Sequence, residues 1–199
     1  MDPISAFLED NKIPLGRWGK QLFNWLTDSF DWFFDGIATG IETILEALID
    51  LLLLPPPIVI IALVAALAWW LSRSWKVPAI AIGCLAFVVN QGLWKETVET
   101  LALVVGAASA SMAIGVPVGI VAAHNYWLFR ILRPVLDLMQ TLPTFVYLIP
   151  ALILFGLGLA PGLVTTVIFS IAAPIRLTHL GITSVPKQLI EAGQAFGAT

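Results

Sequence analysis

The chain has 199 residues, 59% of them hydrophobic and 12% charged, with a mean hydropathy of +0.93. So little polar surface excludes a soluble globule and points to a membrane protein. The net charge of −3 hides an asymmetry, because nine of the thirteen acids precede Pro55 against three of the ten bases, and such a balance excludes nucleic acid as a partner.

Residues 1–10 carry Asp2, Glu9 and Asp10, with neither a basic n-region nor an apolar h-region. They do not read as an export signal, so the first membrane span is expected to act as its own insertion signal. Aromatic residues crowd 18–34, and Ile37, Ile41, Ile44, Leu45, Leu48 and Leu52 then recur at helical spacing opposite an acidic stripe of Glu42, Glu46 and Asp50. That pattern predicts an amphipathic helix. Its acidic face gains nothing from anionic lipid, which favours a scaffold braced against the bundle. An interfacial aromatic belt accounts for the aromatics better than a cage for a quaternary amine.

Three apolar runs follow, at 58–71, 77–94 and 101–123, each predicted to cross a hydrocarbon core as a helix. Cys84 lies in the second and is expected to pack as a small hydrophobe. The third contains Gly115-x-x-x-Gly119 among alanines and serines, a pattern that permits close helix approach. Residues 143–175 are broken by FGLGLAPG into two arms that read as short, so two spans and a re-entrant hairpin both remain open. Pro117, Pro143, Pro150 and Pro174 each remove a helix hydrogen bond, and kinks are expected near them.

Arg73, Lys76, Arg130, Arg133, Arg176 and Lys187 fall on one side of this array and only Lys95 opposite. The positive-inside rule places those six in the cytoplasm, with the N-terminus outside and the residues after 176 inside. No Asp, Glu, Lys, Arg or His occurs within the four apolar stretches, so the proton relay of a coupled pump is missing. A sodium-driven carrier using backbone carbonyls is weakened but not excluded. No catalytic constellation is visible, and His124 and His179 read as solvated residues at opposite ends of polar loops.

At the close of the chain Ser184 is placed to cap a short helix with Pro186 in its first turn. Val185, Leu189, Ala192 and Phe196 share one face before Gly197 stops it. Such a helix is too short to span. It suits either a docking element for another protein or a peripheral helix on the bilayer.

Glu191-Ala192-Gly193-x-x-x-Gly197 resembles the start of the E-A-A-x-x-x-G loop of binding-protein-dependent ABC importer permeases, with Gly193 where that family usually has Ala. The glycine costs the helix about 1 kcal/mol of propensity. ASMAIGVPVGIVAAHN, LRPVLDLMQTLPTFVYLIPALILFGLG and AAPIRLTHLGITSVPKQLIEAGQAFGAT resemble the glycine betaine/proline betaine permease subunits, a likeness that covers about residues 101–199. The resemblance implies an all-α membrane protein with the type I ABC importer permease fold. Its parts would be an extracytoplasmic acidic amphipathic region at 1–54, two N-terminal spans at 55–96, and the N-terminal part of the permease domain at 97–199.

It further implies a non-enzymatic subunit of the bacterial inner membrane. Its partners would be a second permease copy, a cytoplasmic ATP-binding subunit that holds ATP and Mg, and an extracytoplasmic substrate-binding protein. No cofactor is expected in this chain. Glu191, Ala192, Gly193 and Gly197 would form the ATPase-coupling element, whereas no residue is assigned to the substrate. Family loops continue to a downstream I-x-L-P element and further spans, so the fold is expected to be truncated after the start of the coupling helix. The nearest alternative cargo is choline or another small amine or sulfonate. A secondary betaine carrier and an interaction-only membrane scaffold come from other classes.

Overall fold

A computed structural model describes residues 15–197; the acidic stretch 1–10 lies outside them. The described residues form nine helices: α1 (Leu15–Leu53), α2 (Pro57–Ser72), α3 (Lys76–Asn90), α4 (Trp94–His124), α5 (Tyr126–Thr141), α6 (Phe145–Phe155), α7 (Leu159–Ser170), α8 (Ala172–Thr183) and α9 (Lys187–Ala195). Two stretches are long and apolar enough to cross a membrane unaided. They are α4, with 31 residues, and the nearly continuous α7–α8 run Leu159–Thr183, with 25 residues. At 1.5 Å per residue these reach about 46 Å and about 37 Å.

Helix α4 begins seven residues before the apolar run that predicted it. Its first turns carry Lys95, Glu96 and Glu99, which hydropathy reads as loop. They are nonetheless helical, with the Thr97 and Thr100 hydroxyls donating to the carbonyls of Leu93 and Glu96, both at 2.8 Å, and Lys95 placed 3.6 Å from Glu99. Trp94 therefore opens α4 instead of closing the second span. The intervening turn uses Gly92 at φ 74°, a left-handed angle that favours glycine. Helix α3 is left with 15 residues and exposes Cys84, contrary to the packed position expected for that thiol.

The hairpin at 143–175 is unequal. Its first arm, α6, has 11 residues and meets α5 at a 94° bend. The bend follows Leu142, which is extended at ψ 138° because the ring of Pro143 disfavours the helical conformation in the residue before it. The second arm passes residue 175 and continues to Thr183, so it is full length and not short. Pro174 lies near the middle of the α7–α8 run, where it cannot donate to Ser170 O, and the run is interrupted at Ile171 without a sharp bend. Pro117 and Pro150 sit inside continuous helices, and the sharp bend among the four expected sites is at Pro143.

A seam between α4 and α8 organises the packing. Val98, Ala102, Ala107, Ser111, Gly115, Gly119 and Ala122 are buried along one face of α4. A Cβ on Gly115 would lie 2.7 Å from Pro174 Cγ, and one on Gly119 would lie 2.7 Å from Thr178 Cβ and 2.8 Å from the Ile175 carbonyl. Only glycine lets the backbones approach this far. The Ser111 and Ser170 hydroxyls hydrogen-bond across the upper part of the same contact. Where α4, α5 and α8 meet, Leu136, Ala172 and Ile175 form a core cluster with Val118, Leu132 and Met139 against it.

Helix α1 is interrupted at Phe30 (φ −125°, ψ 18°), and its second half leans on α4, α6 and α7. Leu45 and Ile49 are buried there, and Phe34 meets Phe155 edge to face at 5.5 Å between ring centres. Ile44, expected on the apolar face, is 71% exposed because the seam follows Ala38, Leu45 and Ile49. Glu42 leaves the acidic stripe: its carboxylate occupies the space a Cβ on Gly158 would need, beside the first turn of α7. The positive end of that helix favours a negative group at this place.

Gly119→Ala is expected to destabilise the protein by about 1–3 kcal/mol, because the intruding methyl meets backbone as well as side chain. Gly181→Ala, with nothing within 4 Å, should be neutral or slightly stabilising. Thermal unfolding of the two variants in the same detergent checks the contrast.

Candidate functional site: the closing helix and its connection to the bundle

Helix α9 is set up by the three residues before it. Ser184 does not cap it. Its backbone N–H donates to Leu180 O at 2.9 Å and its hydroxyl to Gly181 O at 3.2 Å, so Ser184 ends α8. Pro186, extended at ψ 135°, occupies the N-cap position, and its missing N–H prevents α8 from running on. At the other end the chain turns at Gly197, φ 86°, with the Gly197 N–H donating to Gln194 O at 3.0 Å. The glycine predicted to stop the helix therefore holds an angle that suits glycine.

Between these limits Leu189, Ala192, Gly193 and Phe196 share one face. Leu189 is 65% and Phe196 93% exposed, while Glu191 and Ala192 are exposed and Gly193 is partly covered. A short helix with an apolar face turned away from its own bundle has the form of a docking element.

Three residues separate this element from α8, which is gripped on two sides. The glycine seam holds it to α4. Toward α5, the Arg176 guanidinium donates from Nη2 to Asp137 Oδ1 at 2.7 Å and from Nη1 to Gln140 Oε1 at 2.9 Å. One turn further along α8, the His179 ring stacks on Phe129, with ring centres 3.5 Å apart and planes 6° from parallel.

Arg176 and Gln140 lie side by side, a placement that two spans and a re-entrant hairpin at 143–175 would both give. Asp137 as the acceptor was missed, although Arg133, Asp137 and Gln140 recur at helical spacing in α5 as Arg176, His179 and Thr183 do in α8. His124 is exposed, as expected of a solvated residue, and His179 half-buried, and both line one cleft between the end of α4, α5 and α8.

The Arg176–Asp137 pair is partly open to solvent, so a double-mutant cycle with Arg176→Gln and Asp137→Asn should return a coupling of only about 0.2–1 kcal/mol in unfolding experiments. A value of several kcal/mol would mean that the pair is shielded in the folded protein.

Residues 115–199 match the family model described as "Binding-protein-dependent transport system inner membrane component". The chain is 43% identical over 188 residues to the glycine betaine transport system permease protein OpuAB of Bacillus subtilis, covering 94% of this chain and 66% of that protein. It is 41% identical over 205 residues to the glycine betaine/proline betaine transport system permease protein ProW of Escherichia coli, covering 100% of this chain and 55% of that one. To the glycine betaine/carnitine transport permease protein GbuB of Listeria monocytogenes it is 38% identical over 190 residues, with 94% and 67% covered. The chain thus spans between 55% and 67% of the length of these relatives. With the matched segment holding both the glycine seam and the closing helix, the chain belongs to the family of binding-protein-dependent transport system inner membrane components.

Proposed function

We propose that this chain belongs to the permease subunit of an ATP-driven importer for glycine betaine, proline betaine and related osmoprotectants. The observation that carries the reading is the exposed α9, with Glu191, Ala192, Gly193 and Gly197, joined by three residues to a helix fixed in the bundle. The names of the relatives supply the cargo class. Residues 1–54 face outward as an amphipathic scaffold, 55–96 form two N-terminal spans, and 97–199 begin the permease domain. Two copies form the path in the bacterial inner membrane, with the N-terminus outside and α9 in the cytoplasm. ATP and Mg sit on a separate cytoplasmic subunit, and an extracytoplasmic binding protein delivers the cargo.

In this scheme the apolar face of α9, led by Leu189 and Phe196, seats in a groove of the ATPase. When the ATPase pair closes, α9 is displaced and α8 follows through the short 184–186 connector. The seam at Gly115 and Gly119 then carries the displacement into α4. Coupling requires that the ATPase bind α9 with different free energy in its open and closed states, since an equal affinity would shift nothing. Glu191 orients the docked helix, and Gly197 turns the chain out of the groove.

Glu191→Lys and Gly197→Asp should reduce osmoprotectant uptake by about tenfold or more, the scale of one lost interfacial contact, while membrane insertion stays normal. Each full-length variant is reconstituted with its ATPase and binding protein, and assembly, hydrolysis and uptake are measured. Normal stimulated hydrolysis with normal uptake in both variants would sink the coupling role. Orientation is read separately by an impermeant thiol reagent on sealed cells in a cysteine-free background. A Cys at Leu157, 93% exposed in the turn between α6 and α7, should label from outside, and one at Lys187 should not.

A further inference from the structure

The facing polar stripes of α5 and α8 match at one end and not at the other. At the matched end Asp137 and Gln140 satisfy Arg176. Beyond the Phe129–His179 stack the two helices part around a cleft of about 530 Å³ lined by His124, Arg130, Arg133, His179 and Thr183. Arg130 lies over the Trp127 ring at 5.6 Å, and neither Arg130 nor Arg133 has a carboxylate within ion-pair distance among the described residues. Among the described residues no acid lines this cleft, and Asp137, in the neighbouring pocket, is already taken by Arg176. Two guanidinium groups and two imidazoles therefore line a space to which the described residues bring no anion.

We propose that this cleft binds the phosphate of an anionic phospholipid headgroup in the inner leaflet. Guanidinium groups match phosphate oxygens with paired donors. A lipid fits better than a free anion because Trp127, Ile131, Val135 and Leu138 expose an apolar stripe along α5 itself. Helix α5 lies at 94° to the next helix, the attitude of an element resting in the interface while α6 enters the bilayer. The acyl chains then cover that stripe while the headgroup turns into the cleft. The inference rests on the cytoplasmic placement of Arg130 given above, but binding is read in detergent without transport, so the two can fail separately.

The test titrates the full-length permease in detergent with short-chain phosphatidylglycerol, short-chain phosphatidylcholine or inorganic phosphate, following the thermal unfolding midpoint. Phosphatidylglycerol should raise the midpoint, and the other two should not. Arg130→Gln with Arg133→Gln should raise the half-maximal phosphatidylglycerol concentration about thirtyfold, and the corresponding pair of Lys substitutions much less. Thr183→Glu, an exposed change that puts an acid into the cleft, should weaken binding in the same direction and serves if the double Gln variant does not fold. Arg73→Gln with Lys76→Gln removes two charges on the same side of the membrane outside the cleft and should leave the affinity unchanged. An equal response to phosphatidylcholine would overturn the proposal, as would an equal response to phosphate, which would mark a site for free anions. A normal response in Thr183→Glu, or an equal loss in the Arg73 and Lys76 variant, would overturn it as well.

Discussion

The structure depends on how closely the backbones of α4 and α8 approach at Gly115 and Gly119. In hydrocarbon there is little hydrophobic gain in bringing two apolar helices together, so association relies on van der Waals packing and on polar groups that bond across the contact. Removing the side chain at two positions one turn apart lets Pro174 and Thr178 lie directly on the α4 backbone. The Ser111–Ser170 pair adds a directional bond where this contact passes from α8 to α7. Two further helices hang from this contact: α5 packs into the angle between α4 and α8, and α9 continues from the end of α8.

Rigidity at the seam concentrates freedom elsewhere. A displacement of α8 has few places where it can be absorbed, because α4 and α8 must move together or lose their fit. The breaks between helices nearest to it are the bend at Pro143 and the connector before α9. At both, a proline prevents neighbouring helices from fusing into one rod. The Arg176 contacts to Asp137 and Gln140 bridge the first of these joints, so they tie the attitude of α5 to that of α8.

Much of this was legible in the residues. The apolar run at 101–123 located α4, the glycine spacing at 115 and 119 marked the tight contact, and the motif around Glu191 marked the closing helix. Boundaries were legible only where polarity changes with the fold. Lys95, Glu96 and Glu99 hid the start of α4, since a helix can begin in the headgroup region before it turns apolar. Ser184 looked like an N-cap because capping residues suit both ends of a turn between helices, and only the hydrogen bonds show that it closes the helix before it. The Asp137–Arg176 contact and the shared cleft of His124 and His179 were invisible because they arise from two segments more than thirty residues apart, brought together by the bend at Pro143. Glu42 was assigned to the wrong face for the same reason: its partner is the absence of a side chain at Gly158.

The packing of α1 also bears on the order in which the chain can mature. Leu45 and Ile49 are made before the residues they pack among, Gly106 and Leu163 for the one and Val98 and Ala102 for the other. Until α4 and α7 are in place, the second half of α1 must carry an unsatisfied apolar face. The bilayer interface, and the exposed aromatics of the first half, give it somewhere to wait. Helix α1 thus precedes in the chain the helices that bury it, and its apolar face can be covered only after they are made.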